Sequence, residues 1–387
     1  MLGKLKNIIK KHEFLYNLWF HATSADYKRN LRDMASCCVK KTDEMRREMK
    51  MLQAYWGCAP DQYVLYRLFE KKQSDDELKD WIPPYYFYAY WLPERQKVSN
   101  RDEFSDKIRQ HELFAERKCP EPEAIAVLRK GTAYDGSGKK LSSYLDIIRE
   151  IPAAGKKVFI KPADGRGGKG IHILEAADNT GAADCFRFFK FDGKIISQYA
   201  LEKKFENFTG IVQKGVHQRA DMAELNPDSL NTFRFVTCTE DGKRKVAVVT
   251  LRTGRKGSIV DNVDSGGLAV LINTADGSFA DTAYSSSEAF RSHPDTGCVF
   301  AGRKIKDWNK ICRAVLETAE KFPEFDVAGW DIALAEDGIK LLEFNLRLGL
   351  GIQITANRGL RREFAIDPEK DRIGARGGSD IQENRKN

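Results

Sequence analysis

Residues 159–174 read FIKPADGRGGKGIHIL, and Gly165, Gly167 and Gly170 fit the spacing G-x-G-x-x-G. A dinucleotide fingerprint, a phosphate-covering flap and a plain hairpin turn all satisfy that spacing. A dinucleotide fingerprint must open a helix, because the pyrophosphate rests on that helix's N-terminus. The glycines here run instead into Ile171-His172-Ile173-Leu174, a strand-like stretch. A P-loop needs Lys and then Ser or Thr directly after its last glycine, and this chain supplies Ile171 and His172. What remains is strand, glycine loop, strand. In such a flap Gly165, Gly167, Gly168 and Gly170 leave the backbone N–H groups bare for phosphate oxygens, since no Cβ blocks the approach. Lys161 on the first strand, with Arg166 and Lys169 in the loop, supplies positive charge.

A second constellation is GWDIALAEDGIKLLEFN, residues 329–345. It reads as a β-hairpin turning at Glu336-Asp337-Gly338, with glycine where a three-residue loop needs positive φ. Pairing across that loop sets Asp331 directly opposite Glu343 and places Asn345 on the same face. A two-residue loop would separate the two acids onto opposite faces. Trp330, Ile332, Leu334, Leu342 and Phe344 form the apolar layer on the other side. Two carboxylates so close repel by about 3 kcal/mol at an effective dielectric of 20. A divalent cation removes the repulsion, and an all-oxygen Asp/Glu/Asn set suits Mg²⁺ carrying nucleotide phosphates.

The bulk properties are compatible with both sites. A chain of 387 residues that is 42% hydrophobic has material for two or three structural units. Its net charge of +8, from 64 basic and 56 acidic residues, is spread rather than gathered, which favours anionic small molecules or an anionic membrane surface over nucleic acid. The eight cysteines form no C-x-x-C pair, as expected in a reducing, cytoplasmic compartment. No apolar run is long enough for a membrane span. The N-terminal MLGKLKNIIKKHEFLYNLWFHATSA is interrupted by charge and is not read as a cleaved leader. Leu2, Leu5, Ile8, Ile9, Leu15, Leu18 and Trp19 fit an amphipathic helix that either docks on the protein's own core or touches a membrane peripherally.

Along the chain, four parts are expected: a helical accessory unit at 1–98, an α+β part carrying the flap at 99–195, a second lobe carrying the acids at 196–364, and a disordered tail at 365–387. The aromatic stretch WIPPYYFYAYWLPERQ (81–96) is expected to join the helical unit to its neighbour. Helices are expected over 103–118 and near 307–321. KKVFIKP, GIHIL, KIISQYAL, NTFRFVTCTE, RKVAVVTLRTG and LAVLIN are expected as strands.

In their order, these features resemble the ATP-grasp superfamily. The strings LNPDSLNTFRFVT (225–237), VDNVDSGGLAVLINTADG (260–277), HPDTG (293–297), VAGWDIALAEDG (327–338) and LLEFN (341–345), with Gln353, are similar to its sugar-transfer-associated family. The resemblance covers about residues 100 to 360. It implies an α+β ATP-grasp fold, two lobes sandwiching ATP. It also implies roles: Lys107 and Lys161 as the ATP lysines, Gln198, Tyr199, Ala200 and Leu201 as the hinge meeting adenine, Arg234 and Arg252 at phosphate or developing negative charge, and Asp331, Glu343 and Asn345 at Mg²⁺. Arg347, Gln353 and Arg358 follow the metal ligands and are candidates for gripping a substrate carboxylate or phosphate. The chain departs from the family at IKDW (305–308) and at LRLGLG (346–351), the latter touching the acceptor site.

The chemistry so implied is an ADP-forming ligase: a carboxylate is activated as an acyl phosphate and joined to an amine or other nucleophile. Its product would be a sugar, cell-surface, polysaccharide or specialised-metabolite precursor. No enzyme nucleophile is required, only positioning and charge. A sugar or inositol kinase is the alternative enzyme, and a nucleotide-binding scaffold without turnover is the third reading. His172, His217 and His293 lack an evident orienting partner in the sequence and are read as structural.

Overall fold

A computed structural model of the chain describes residues 12–96, 98, 101, 103–141, 157–165, 167–176, 188–285 and 288–368. Two antiparallel seven-stranded sheets carry the architecture. The first consists of β1 (Ala124–Arg129), β2 (Thr132–Asp135), β3 (Lys157–Pro162), β4 (His172–Ala176), β5 (Phe188–Phe191), β6 (Lys194–Ser197) and β7 (Gly210–Lys214), in the order β2-β1-β7-β3-β4-β5-β6. The second consists of β8 (Thr232–Glu240), β9 (Lys243–Thr253), β10 (Leu268–Ile272), β11 (Phe279–Tyr284), β12 (Ala289–Phe290), β13 (Val327–Ala335) and β14 (Gly338–Asn345), in the order β12-β11-β10-β9-β8-β13-β14. The fold is α+β, as expected. Because β7 inserts between β1 and β3, the first sheet extends to Lys214, past the expected division at 195/196.

The N-terminal region is helical, with α1 (Glu13–Thr23), α2 (Ala25–Ala35) and α3 (Thr42–Trp56) its longest elements. The expected helix over residues 2–19 therefore falls partly on residues 1–11, outside the described residues. The aromatic stretch does join units. Trp81, Tyr85, Tyr86, Phe87 and Trp91 are buried, and they pack with Val236, Cys238, Ala247, Val248 and Val327 from one face of the second sheet. A π-helical turn, Tyr86–Trp91, presents several of these rings. At about 25 cal/mol per Å² of apolar area, a seam built of large aromatic side chains is a principal attachment of the helical unit.

The other face of the second sheet holds a separate core in which Phe233, Phe235, Val249 and Leu251 meet helices α4 (Lys107–Glu116) and α6 (Trp308–Glu320). Helix α5 (Gln198–Phe205) packs on the first sheet through Leu201 and Phe205. A short helix, α7 (Ile352–Ala356), leads into the C-terminal segment. Leu360, Phe364 and Ile366 of that segment are buried against the helical unit, so packed chain continues past residue 365, where the tail was expected to begin. Residues 369–387 lie outside the described residues.

Among the described residues no helix is long and apolar enough to cross a membrane. All the described cysteines are free thiols.

Candidate active site

The two sheets face each other across a cleft of about 740 Å³. Its ceiling is β3. There the period-two alternation of a strand sends Lys157, Phe159 and Lys161 toward the cleft, while Val158 and Ile160 enter the first sheet's core. Lys161 donates from Nζ to Gln213 Oε1 at 2.9 Å. Loss of solvent pushes its pKa down to about 8; Glu343 acts against that shift and Lys107 reinforces it.

The glycine loop follows. Gly167 and Gly168 adopt φ of 61° and 75°, a region that side chains disfavour. A Cβ on Gly167 would stand 2.6 Å from Asn262 Nδ2, and one on Gly168 would stand 2.7 Å from Val260 Cγ1. The loop is thus pressed against residues 260–262 of the opposite lobe. Arg166, which the sequence placed in this loop, lies outside the described residues.

Lys107 opens α4, which Asp106 caps by accepting from the N–H groups of Ile108 at 2.8 Å and Arg109 at 3.0 Å. Lys107 Nζ donates to the carbonyl of Gly165 at 2.6 Å and lies 3.2 Å from Glu343 Oε2. One lysine therefore spans the glycine loop and the acidic hairpin.

The floor is built on β13, β14, β8 and β9. Asp331 pairs with Glu343 across the hairpin and with Arg234 on its other side, while Asn345 pairs with Gly329. The route to this register differs from the expected one. Ala335 pairs with Gly338, so the turn is the two-residue loop that would have separated the acids. A β-bulge between the Asp331 and Ile332 pairs absorbs one extra residue, Leu342, and returns Glu343 to the face of Asp331. The apolar face is consequently Trp330, Ile332, Leu334, Ile339, Leu341 and Phe344, and Leu342 lines the cleft instead.

Asp331 is buried and fully engaged. Arg234 grips both of its oxygens, and Arg252 Nη2 donates to Oδ2 at 2.7 Å. Burial acts to raise its pKa, but the two guanidiniums prevail and hold it well below the usual carboxylate range. Arg252 also donates to Thr232 Oγ1 at 3.1 Å, while its Nε is buried without a partner. Beside it Asp261 accepts from Thr232 N at 2.9 Å and from the Thr232 hydroxyl. Burial raises the Asp261 pKa, and Arg252 opposes that rise.

A cation fits the donor chemistry through Glu343 and Asn345, which adjoin each other through a hydrogen bond from Asn345 Nδ2 to Glu343 Oε1 at 3.1 Å. Among the described residues no group of three or more His, Cys, Asp and Glu side chains could hold a metal ion. Few protein ligands suit Mg²⁺ that arrives on phosphates and keeps part of its water shell.

Several expected site residues lie elsewhere. Gln198, Tyr199, Ala200 and Leu201, expected as the hinge, open helix α5. Ser197 accepts from Ala200 N at 3.3 Å and so starts a helix midway through the expected strand; Tyr199 points to solvent, and none of the four lines the cleft. The chain crosses between the sheets at Lys214–Gln218 instead, and all five residues line the cleft. Gln353 is fully buried: its Oε1 accepts from Ile82 N at 3.0 Å and Leu360 N at 3.2 Å, and its Nε2 donates to Ile82 O at 3.3 Å. It joins the helical unit to the C-terminal segment. Arg358 is exposed and paired with Glu363, and Arg347 is exposed; neither lines the cleft. His293 is buried and meets the Gly254 carbonyl at 2.9 Å, and His172 pairs with Asp192, so both are structural. His217 lines the cleft.

A family model described as sugar-transfer associated ATP-grasp matches residues 91–367. No curated protein matches the sequence. Similar solved structures include D-alanyl-alanine synthetase A from Vibrio cholerae O1 biovar eltor str. N16961, with 12% identity and a TM-score of 0.37 over 70% of this chain and 61% of that one. The L-amino acid ligase of Bacillus licheniformis gives 12% and 0.33 over 76% and 48%. N5-carboxyaminoimidazole synthase from Aspergillus clavatus, solved with ADP and 5-aminoimidazole ribonucleotide, gives 13% and 0.36 over 69% and 52%. The chain thus spans roughly half to three-fifths of the length of these proteins.

Proposed function

Because the chain belongs to the sugar-transfer associated ATP-grasp family, we propose that it is an ATP- and Mg²⁺-dependent, ADP-forming ligase joining a small-molecule carboxylate to an amine or sugar nucleophile. The observation that carries this reading is convergence. Lys107, Lys161, the glycine loop and the Asp331/Glu343/Asn345 set, distant in sequence, surround one cleft. When bound, ATP would supply the phosphoryl group that activates the carboxylate, and Mg²⁺ would offset charge on its phosphates.

The chain's own residues bind and orient. Phe159, Ile173, Val216 and Leu342 provide an apolar slot for a purine beside the crossing segment. Lys107, Lys161 and the glycine amides take the phosphates. Glu343, Asn345 and Asp331 would hold Mg²⁺. Arg234 and Arg252, which line the same cleft, would stabilise charge that builds on the transferred group and on the carboxylate oxygen; electrostatic stabilisation of this kind is usually the largest single contribution to such reactions. The glycine loop, held against residues 260–262, would shield the activated carboxylate from water.

The family's association with sugar transfer supports a polysaccharide or cell-surface precursor as the product class. Incubation with ATP, Mg²⁺ and pooled amino acids and sugar acids tests the reading. ADP, free phosphate and an amide or ester are expected. AMP with pyrophosphate would overturn it, and a phosphate ester in place of free phosphate would replace it with a small-molecule kinase.

A further inference from the structure

The outward side of α1 is apolar and uncovered. Phe14 is 78% exposed, Leu18 60%, Trp19 44% and Leu15 38%. The spacing i, i+1, i+4, i+5 gathers them on one side of the helix. Monomeric soluble proteins seldom leave such a group bare without a use for it.

The helix cannot roll to hide them, because its inner side is committed. Tyr16 is buried against Tyr85, with ring centroids 5.2 Å apart, and it stacks with Phe20. Glu13 accepts from Ala59 N at 2.6 Å, and His21 Nε2 lies 2.8 Å from Asp61 Oδ1.

Basic residues border α1 along the chain. Lys28 of α2 reaches back to the carbonyl of Ala22 in α1, and Arg32 of α2 is exposed. Directly ahead of α1 the chain reads MLGKLKNIIKK, which contains Lys4, Lys6, Lys10 and Lys11 and no acid. A second copy of the chain docking here by two-fold symmetry would set lysine against lysine. An anionic lipid surface matches both features: aliphatic and aromatic side chains enter the boundary between headgroups and acyl chains, Trp favours that depth, and lysines meet headgroup charge.

We propose that the face of α1 formed by Phe14, Leu15, Leu18 and Trp19, with its flanking lysines, docks the protein on an anionic phospholipid bilayer. The assignment is independent of the reaction in the cleft. It also selects one of the two alternatives that the amphipathic pattern left open.

Sedimentation of the full chain with unilamellar vesicles tests it. Binding is expected on phosphatidylcholine vesicles containing about 30% phosphatidylglycerol, falling about tenfold on phosphatidylcholine alone or in about 0.5 M NaCl. The variant F14S/L18S/W19S should lose binding about tenfold while thermal stability and ATP turnover stay unchanged. K10E/K11E, which leaves α1 intact, should weaken binding to the anionic vesicles alone. Absence of binding to either vesicle, or equal binding to both, would overturn the proposal. A concentration-dependent dimer abolished in F14S/L18S/W19S would likewise overturn it, making the face a contact between copies.

Discussion

Asn262 donates a hydrogen bond from Nδ2 to the carbonyl of Gly167, 3.0 Å away, tying the glycine loop of the first sheet to the segment that joins β9 to β10 in the second. The flap is therefore held over the cleft by a side chain from the opposite lobe. A single such bond contributes about 1 kcal/mol. Asn262→Ala should raise the KM for ATP about fivefold, with little change in melting temperature. Initial rates of ADP release against ATP concentration check this.

Asp331 neutralises two guanidiniums that are mostly removed from water. Asp331→Asn removes the carboxylate that both share and should cost about 3 kcal/mol in denaturant unfolding, besides abolishing turnover. The acid profile should change too. A carboxylate held below its unfolded pKa contributes stability that is present above the ordinary carboxylate range and lost as pH falls through its lower folded value. Urea melts at descending pH should show that loss in the wild-type chain and not in the variant.

Lys161, with its pKa lowered to about 8, sets a pH window. Its charged form binds phosphate, so ATP affinity should fall as pH rises through about 8 in titration calorimetry, and Lys161→Met should remove that dependence. Stability runs the opposite way. Between about 8 and the ordinary lysine value the unfolded chain holds the extra proton, so this residue's contribution to stability rises with pH there.

Gln353 supplies the plainest discrimination between a substrate residue and a structural one. Gln353→Ala strands the N–H groups of Ile82 and Leu360, each buried donor costing about 1–3 kcal/mol. A lower melting temperature with unchanged KM for every substrate is expected. A KM effect at unchanged stability would return Gln353 to the acceptor site.

The features legible in the sequence were those with strong local periodicity or a fixed chemical partner. Lys161 was read on the strand that precedes the glycine loop, and it lies on that strand and lines the cleft. The opposition of Asp331 and Glu343 was also legible, although the turn and the bulge each differ by one residue from expectation and compensate. Features that depend on distant packing were not. Gln198–Leu201 reads as a continuing strand until Ser197 is recognised as a helix cap, and the true crossing at Lys214–Gln218 is a polar stretch with no signature of its own. Gln353 follows the acids closely in the chain, but its partners lie 271 residues away at Ile82. The string VDNVDSGG was noticed as a whole, yet the separate tasks of Asp261 and Asn262 emerge only when the lobes face each other.

The extra residue at Leu342 makes the acidic pair depend on a parity rule. Smoothing the bulge with Leu342 retained would set Leu342 opposite Asp331 and turn Glu343 and Asn345 into the hydrocarbon interior, while leaving the hairpin paired. A three-residue loop, Glu336-Asp337-Gly338, paired without the bulge would restore them. Turn length and strand irregularity are thus a single heritable unit in this hairpin, and neither is free to drift without the other.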